Sequence, residues 1–232
     1  MFDLSYFLDT FFKLLPAVPM TFFISIFSFV VGCIWGFFFA LVRIYKIPIL
    51  NQCIVIYVSF FRGTPLLVQL FMFYYGIPIL LRSLDFDMDF SAIDAIYYAL
   101  VIFSLHASAY LTEIFRSSIL AVDKGQIEAA YSVGMSTRQA FIRIILPQAL
   151  MITLPNLANF FILQVKNTSL ASVITVPELM GLADIESGRS SKFLEVYFMA
   201  ALMYWGVCAL LEYVFFRFER RWKHFRKSYA EG

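Results

Sequence analysis

The stretch Leu14–Val42 reads LLPAVPMTFFISIFSFVVGCIWGFFFALV, 29 residues between Lys13 and Arg43 without one charged side chain. A helix needs about 20 such residues to cross the hydrocarbon core of a bilayer. The stretch does not read as a signal peptide, because Met1-Phe2-Asp3 lacks a basic n-region and the apolar run is too long. Pro16 and Pro19 mark its start, and the helix proper is expected near 20–42.

Working outward, the same reading recurs. Further spans are expected near 51–81, 95–115, 144–170 and 195–216, the second interrupted by Arg62-Gly63-Thr64-Pro65. The runs are continuously apolar and do not alternate, which argues against a β-barrel. The fold class is therefore all-α: one domain over residues 1–232, a polytopic membrane bundle of about five transmembrane helices. Composition agrees. Of 232 residues, 61% are apolar and only 15% charged, against roughly a quarter charged in soluble domains. Cys33, Cys53 and Cys208 sit in or beside apolar runs without metal-ligand spacing and read as small apolar fillers.

Five spans put the termini on opposite sides, and the Lys/Arg bias decides which. With the first loop inside, 12 basic residues fall inside: Arg43, Lys46, Arg116, Lys124, Arg138, Arg143 and six in the tail from Arg217 to Lys227. Four fall outside (Lys13, Arg82, Arg189 and Lys192), where the loops are acidic, with Asp85, Asp87, Asp89 and Asp94 in one and Glu178, Asp184 and Glu186 in the other. The expected orientation is N-terminus outside, C-terminus inside. The basic tail reads as an anchor to anionic lipid and not as a nucleic-acid site.

The inside loop 117–143 is too long for a plain connection. Within it, Asp123 to Phe141 predicts two short helices around Gly134-Met135-Ser136: Gly134 supplies a φ > 0 cap, and Ser136 or Thr137 starts the second helix. Ala129 and Ala130 would let another surface approach closely. Glu128-Ala129-Ala130, three residues, Gly134, nine residues, Ile144, one residue and Leu146-Pro147 together match the EAA loop. On that pattern the chain resembles the permeases of binding-protein-dependent ABC importers. Phe61 to Gln69, Ala109 to Arg116, Leu154 to Asn159 and Lys166 to Leu170 resemble the polar amino acid, histidine/glutamine-type subfamily.

The resemblance implies a transport subunit and not an enzyme. It implies two permeases, identical or sister copies, around a central pathway, a dimer of cytoplasmic ATPases, and an extracytoplasmic solute-binding protein. The setting would be the bacterial plasma membrane. Glu128, Ala129, Ala130, Gly134 and Pro147 would then serve ATPase coupling. No cofactor is expected in this chain; ATP and Mg would sit on the partner ATPase, and no GxxxxGK[ST] loop occurs here.

Polar side chains inside spans are the substrate-pathway candidates, since a charge at the bilayer centre costs about 2.5–3.5 kcal/mol on insertion scales. These are Arg62, Gln69, Asn159, Gln164, Asn167, Thr168 and Ser169. Arg62 has two readings: a bidentate partner for a carboxylate, or a cap for carbonyls freed by the Gly63/Pro65 kink. Pro147 and Pro155 predict a bent fourth span with carbonyls open to a cavity. That span carries no acid, which points to a neutral polar amino acid, cystine or glutamine-like. His106 is expected to be a satisfied packing residue, and Glu113 to pair with Arg116. The competing functions are a membrane scaffold or adaptor, which would use the loop but not the polar span, and a permease for another small polar solute.

Overall fold

The structure is a computed structural model that describes residues 2–84 and 93–230, with side chains up to residue 220. The acidic residues Asp85, Asp87 and Asp89, and the tail side chains Arg221, Lys223, Arg226 and Lys227, lie outside the described residues. The helices are α1 (Leu4–Leu14), α2 (Val18–Ile44), α3 (Leu50–Gly63), α4 (Leu66–Phe71), α5 (Ile77–Ser83), α6 (Ala95–Leu120), α7 (Lys124–Ser132), α8 (Thr137–Ala140), α9 (Leu146–Asn167), α10 (Leu179–Ser190) and α11 (Phe193–Ala230). Among the described residues, five helical segments are long and apolar enough to cross a membrane: Leu4–Ile44, Leu66–Ser83, Ala95–Leu120, Thr137–Ile174 and Phe193–Arg220. The chain is an all-helical, multi-pass membrane bundle.

The bundle is organised on the seam between α2 and α6, which run parallel. Gly32 lies against Ala107 and Gly36 against Leu111, so closely that a Cβ on either glycine would come within 2.7–2.8 Å of the opposing side chain. Small residues at four-residue spacing let two backbones approach, and dispersion replaces the hydrophobic drive that lipid does not supply. On the other side α9 packs antiparallel to α6 through Phe160 and Tyr110, whose rings stack at 5.7 Å. α11 packs antiparallel to α9 through Phe161, Val165 and Cys208.

Prolines shape the second and fourth passes. Thr64 is extended (φ −116°, ψ 145°) and α3 ends at Gly63, because Pro65 disfavours a helical residue before it and donates no amide. The expected span 51–81 is thus two pieces, and the membrane-length part is Leu66–Ser83. Met72–Gly76 and Phe141–Ile145 are π-turns, each followed two residues on by a proline, Pro78 and Pro147. A ring that cannot donate and would strike the carbonyl four residues back is accommodated by one wider turn.

The two ends of the bundle differ. At one end Ile44, Phe141, Ile145, Val122 and Ala149 pack together beneath the α7–α8 hairpin. At the other, α1 and α10 cover the start of α11 through Leu14, Leu179, Ala183 and Val196. α1 therefore lies at the opposite end from the C-terminal half of α11.

Neither α1 nor α10 is expected from the apolar runs. α1 is capped by Asp3, which accepts the Tyr6 amide at 3.1 Å. Its Tyr6 hydroxyl donates to Glu186 at 2.5 Å, and Lys13 pairs with the same carboxylate at 2.9 Å. Lys192 closes the cluster on Asp3.

Glu178 departs furthest from its expected place in an exposed acidic loop. It is fully buried, caps α10 through the Gly181 amide at 2.9 Å, and accepts Tyr204 at 2.6 Å and Thr21 at 3.3 Å. Burial pushes its carboxyl above the usual range, and those three donors partly offset the shift. The chain folds α10 back over α2 and α11, which a linear charge count cannot register.

Candidate functional site

The hairpin is built from local rules. Asp123 caps α7 by accepting the Gly125 amide at 2.6 Å. Gly134 has φ +79°, its N–H reaches the Tyr131 carbonyl at 2.9 Å, and the Met135 N–H reaches Ala130 at 3.1 Å. This is a Schellman stop with glycine in the left-handed position. Ser136 and Gln139 then form a capping box: Ser136 N–H donates to the Gln139 side chain at 2.9 Å, and Gln139 N–H donates to the Ser136 hydroxyl at 3.3 Å.

What the hairpin presents is a surface. Glu128, Ala129, Tyr131, Ser132, Val133 and Gly134 are all exposed, Val133 at 73%. Ala130 differs from expectation. It is 4% exposed and faces the chain's own interior, so only Ala129 leaves room for an outside partner. Pro147 is exposed at the start of α9, after the π-turn that joins the hairpin to the fourth pass.

The residues expected to line a pathway divide into two groups. Gln69, Gln164 and Thr168 are buried. The Gln69 amide nitrogen donates to the carbonyls of Phe61 and Thr64 and to the Thr64 hydroxyl at 2.8–3.1 Å, and its oxygen meets His106 Nδ1 at 3.2 Å. The carbonyls freed at the helix break are therefore satisfied by Gln69, not by Arg62. His106 is a buried, satisfied residue as expected. Gln164 donates to Ser28 at 2.9 Å and to the Phe103 carbonyl at 3.3 Å, tying α9 to α2 and α6. Thr168 donates to the Val165 carbonyl at 2.8 Å.

Arg62, Asn159, Asn167 and Ser169 remain accessible. Asn159 lies with Asn156 and Lys166 along one exposed face of α9, at positions three to ten residues apart. It also opens onto a groove of about 890 Å³ between α9 and α11, lined by Met151, Pro155, Asn159, Glu212, Tyr213 and Phe216. Pro155 lies inside α9 and has no amide to give the Met151 carbonyl, and both residues line this groove. Glu212 corrects the expectation that the fourth span meets no acid. Antiparallel packing of α11 places that carboxylate in the same groove.

Sequence reasoning anticipated the pair of Glu113 and Arg116 but missed its third member. Arg116 binds Glu113 through Nε and Nη2 at 2.9–3.0 Å, and Arg43, from the end of α2, pairs with the other carboxylate oxygen. Among the described residues no group of three His, Cys, Asp or Glu side chains is placed to hold a metal ion.

The family described as "Binding-protein-dependent transport system inner membrane component" matches residues 28–224. The chain belongs to this family. Among the relatives of this permease is the L-cystine transport system permease protein TcyL of Bacillus subtilis, 43% identical, with 96% of this chain and 92% of that protein covered. Another is the probable amino-acid ABC transporter permease protein PatM of Vibrio harveyi, 42% identical over 90% of this chain and 92% of that one. A crystal structure of an amino acid ABC transporter with histidines superposes with a TM-score of 0.86 at 32% identity, covering 95% of this chain and 99% of that one.

Proposed function

We propose that this permease is the translocation subunit of an ATP-driven importer of a polar amino acid in the bacterial plasma membrane, with cystine or a glutamine-like amino acid as the leading substrates. The observation that carries the reading is the α7–α8 hairpin. A rigidly capped knob, exposed on Glu128, Ala129 and Gly134, stands at the end of the bundle opposite α1 and α10. Such a knob is suited to a cleft in a separate ATPase, and its short link to α9 would carry motion into the spans.

ATP and Mg would reside on that partner. α1 and α10 would face an extracytoplasmic binding protein, and the accessible polar residues of α9 and of the turn that follows it (Asn159, Asn167 and Ser169) would line the pathway with a second permease copy or sister subunit. In a lipid-facing helix such a polar stripe has no favourable environment. The names of the relatives support an amino acid substrate.

The reading is tested by reconstituting the permease with its ATPase and binding protein in proteoliposomes. Uptake of labelled glutamine or cystine should require both partners and internal ATP. Uptake that persists without ATP would show a secondary carrier instead.

A further inference from the structure

Arg62 stands at the last turn of α3 with no hydrogen bond or ion pair among the described residues, and its guanidinium lies over the Tyr110 ring at 5.6 Å from the centroid. Gln69 already serves the freed carbonyls around Thr64, so the helix break does not account for a cation there. One turn further along α6, Glu113 is shared between Arg43 and Arg116. Two guanidiniums thus share one carboxylate, and Arg62, over Tyr110 on the same helix α6, adds a further positive charge one turn away. Tyr110 stacks on Phe160 of α9, so Arg62 sits at the junction of α6 with the helix that carries the accessible amides.

We infer that Arg62, seated on Tyr110 and backed by the Arg43–Glu113–Arg116 cluster, holds the α-carboxylate of the transported amino acid at the hairpin end of the pathway and rejects cationic side chains there. The inference rests on the importer reading and names a selective site within it. A planar guanidinium with its fork free is suited to bidentate carboxylate recognition. The ring beneath fixes its plane without using any of its donors. The paired Arg43 and Arg116 raise the local potential, while Glu113 keeps them from separating α2 and α6. A lysine or arginine side chain at this place would meet uncompensated like charge in a medium of reduced dielectric.

The test uses the reconstituted complex with glutamine, cystine and arginine as labelled substrates and L-glutaminol, which lacks the carboxylate, as competitor. In the wild type, L-glutaminol should compete at least tenfold more weakly than glutamine. R62Q should raise KM for the transported substrate about tenfold, the loss of one charge-assisted pair. It should also narrow the gap between glutamine and glutaminol and leave the melting temperature of the detergent-solubilised permease unchanged. R62K, which keeps charge but not the fork, should fall between. An R62Q complex with unaltered KM and an unaltered glutaminol gap overturns the site while leaving the importer standing. Wild-type complex that takes up arginine as readily as glutamine overturns the rejection of cationic side chains, and one that takes up none of the three substrates overturns both readings.

Discussion

Replacing Gly36 with alanine tests whether the α2–α6 seam organises the bundle. The new methyl would lie 2.8 Å from the Leu111 Cβ, 3.0 Å from the Thr112 nitrogen and 3.1 Å from the Leu111 carbonyl carbon. Carbon contacts are comfortable at about 3.5–4.0 Å. Two of the three neighbours are backbone, so no rotamer change relieves the clash and the helices must part by roughly 0.5–1 Å. Overpacking of this kind costs about 1–3 kcal/mol, and alanine returns up to about 1 kcal/mol of helix propensity. The net expectation is a loss of about 0–3 kcal/mol.

Gly206 in α11 supplies the control, because a Cβ there meets nothing within 4 Å. Gly206→Ala should therefore keep the propensity gain, and the difference between the two variants isolates the overpacking. Denaturant titration of each purified variant in detergent, followed by circular dichroism, reads that difference. Equal shifts of the same sign in Gly36→Ala and Gly206→Ala would refute the close-approach argument.

At Gly134 the substituent has open space, so Gly134→Val penalises only the left-handed turn, by about 1–2 kcal/mol or more for a β-branched residue. Transport should be lost while the protein stays in the membrane, and normal uptake with normal ATPase co-purification would count against the coupling role. Cysteines placed at Gly188 and Val133 in a cysteine-free background should label from opposite sides of intact cells, Gly188 from outside; external labelling of Val133 would reverse the orientation. Lys192 holds the Asp3 carboxyl below the usual range, and the Tyr6 hydroxyl followed by Lys13 does the same for Glu186. Both groups therefore add stability above the ordinary carboxylate pKa of about 4 and lose it as pH falls further, so the protection of α1 amides, measured against their intrinsic exchange rates, should fall below pH 4 and stay level between pH 5 and 7. Asn167→Asp should shift competition toward arginine by adding an unpaired carboxylate beside the pathway, and an unchanged preference would remove Asn167 from the selective set.

The hairpin was readable because its signals are local. Gly134 needs only its own backbone, and Ser136 with Gln139 needs only three residues of spacing. The polar residues of the spans were half readable. Polar residues within apolar runs were correctly marked as unusual, but their roles depended on neighbours far along the chain. Gln69 and Arg62 are equally polar on paper, yet the Pro65 break turns one inward onto the Phe61 carbonyl and leaves the other over Tyr110.

The sequence by itself determined the class of the molecule, since uncharged runs of 20 residues or more have one stable solvent and one way to satisfy their backbone within it. It also determined where the second run is interrupted and how the hairpin turns, because caps, prolines and a left-handed glycine act within a few bonds. Only the tertiary structure decided which polar groups are spent on holding the bundle together. Glu178 reaches Thr21 across 157 positions, Gln164 reaches Ser28 across 136, and Arg43 meets Glu113 from another helix. Those partners exist only once the helices pack, and in a low-dielectric interior each pairing decides whether a polar side chain is a clamp or is left free to meet a substrate.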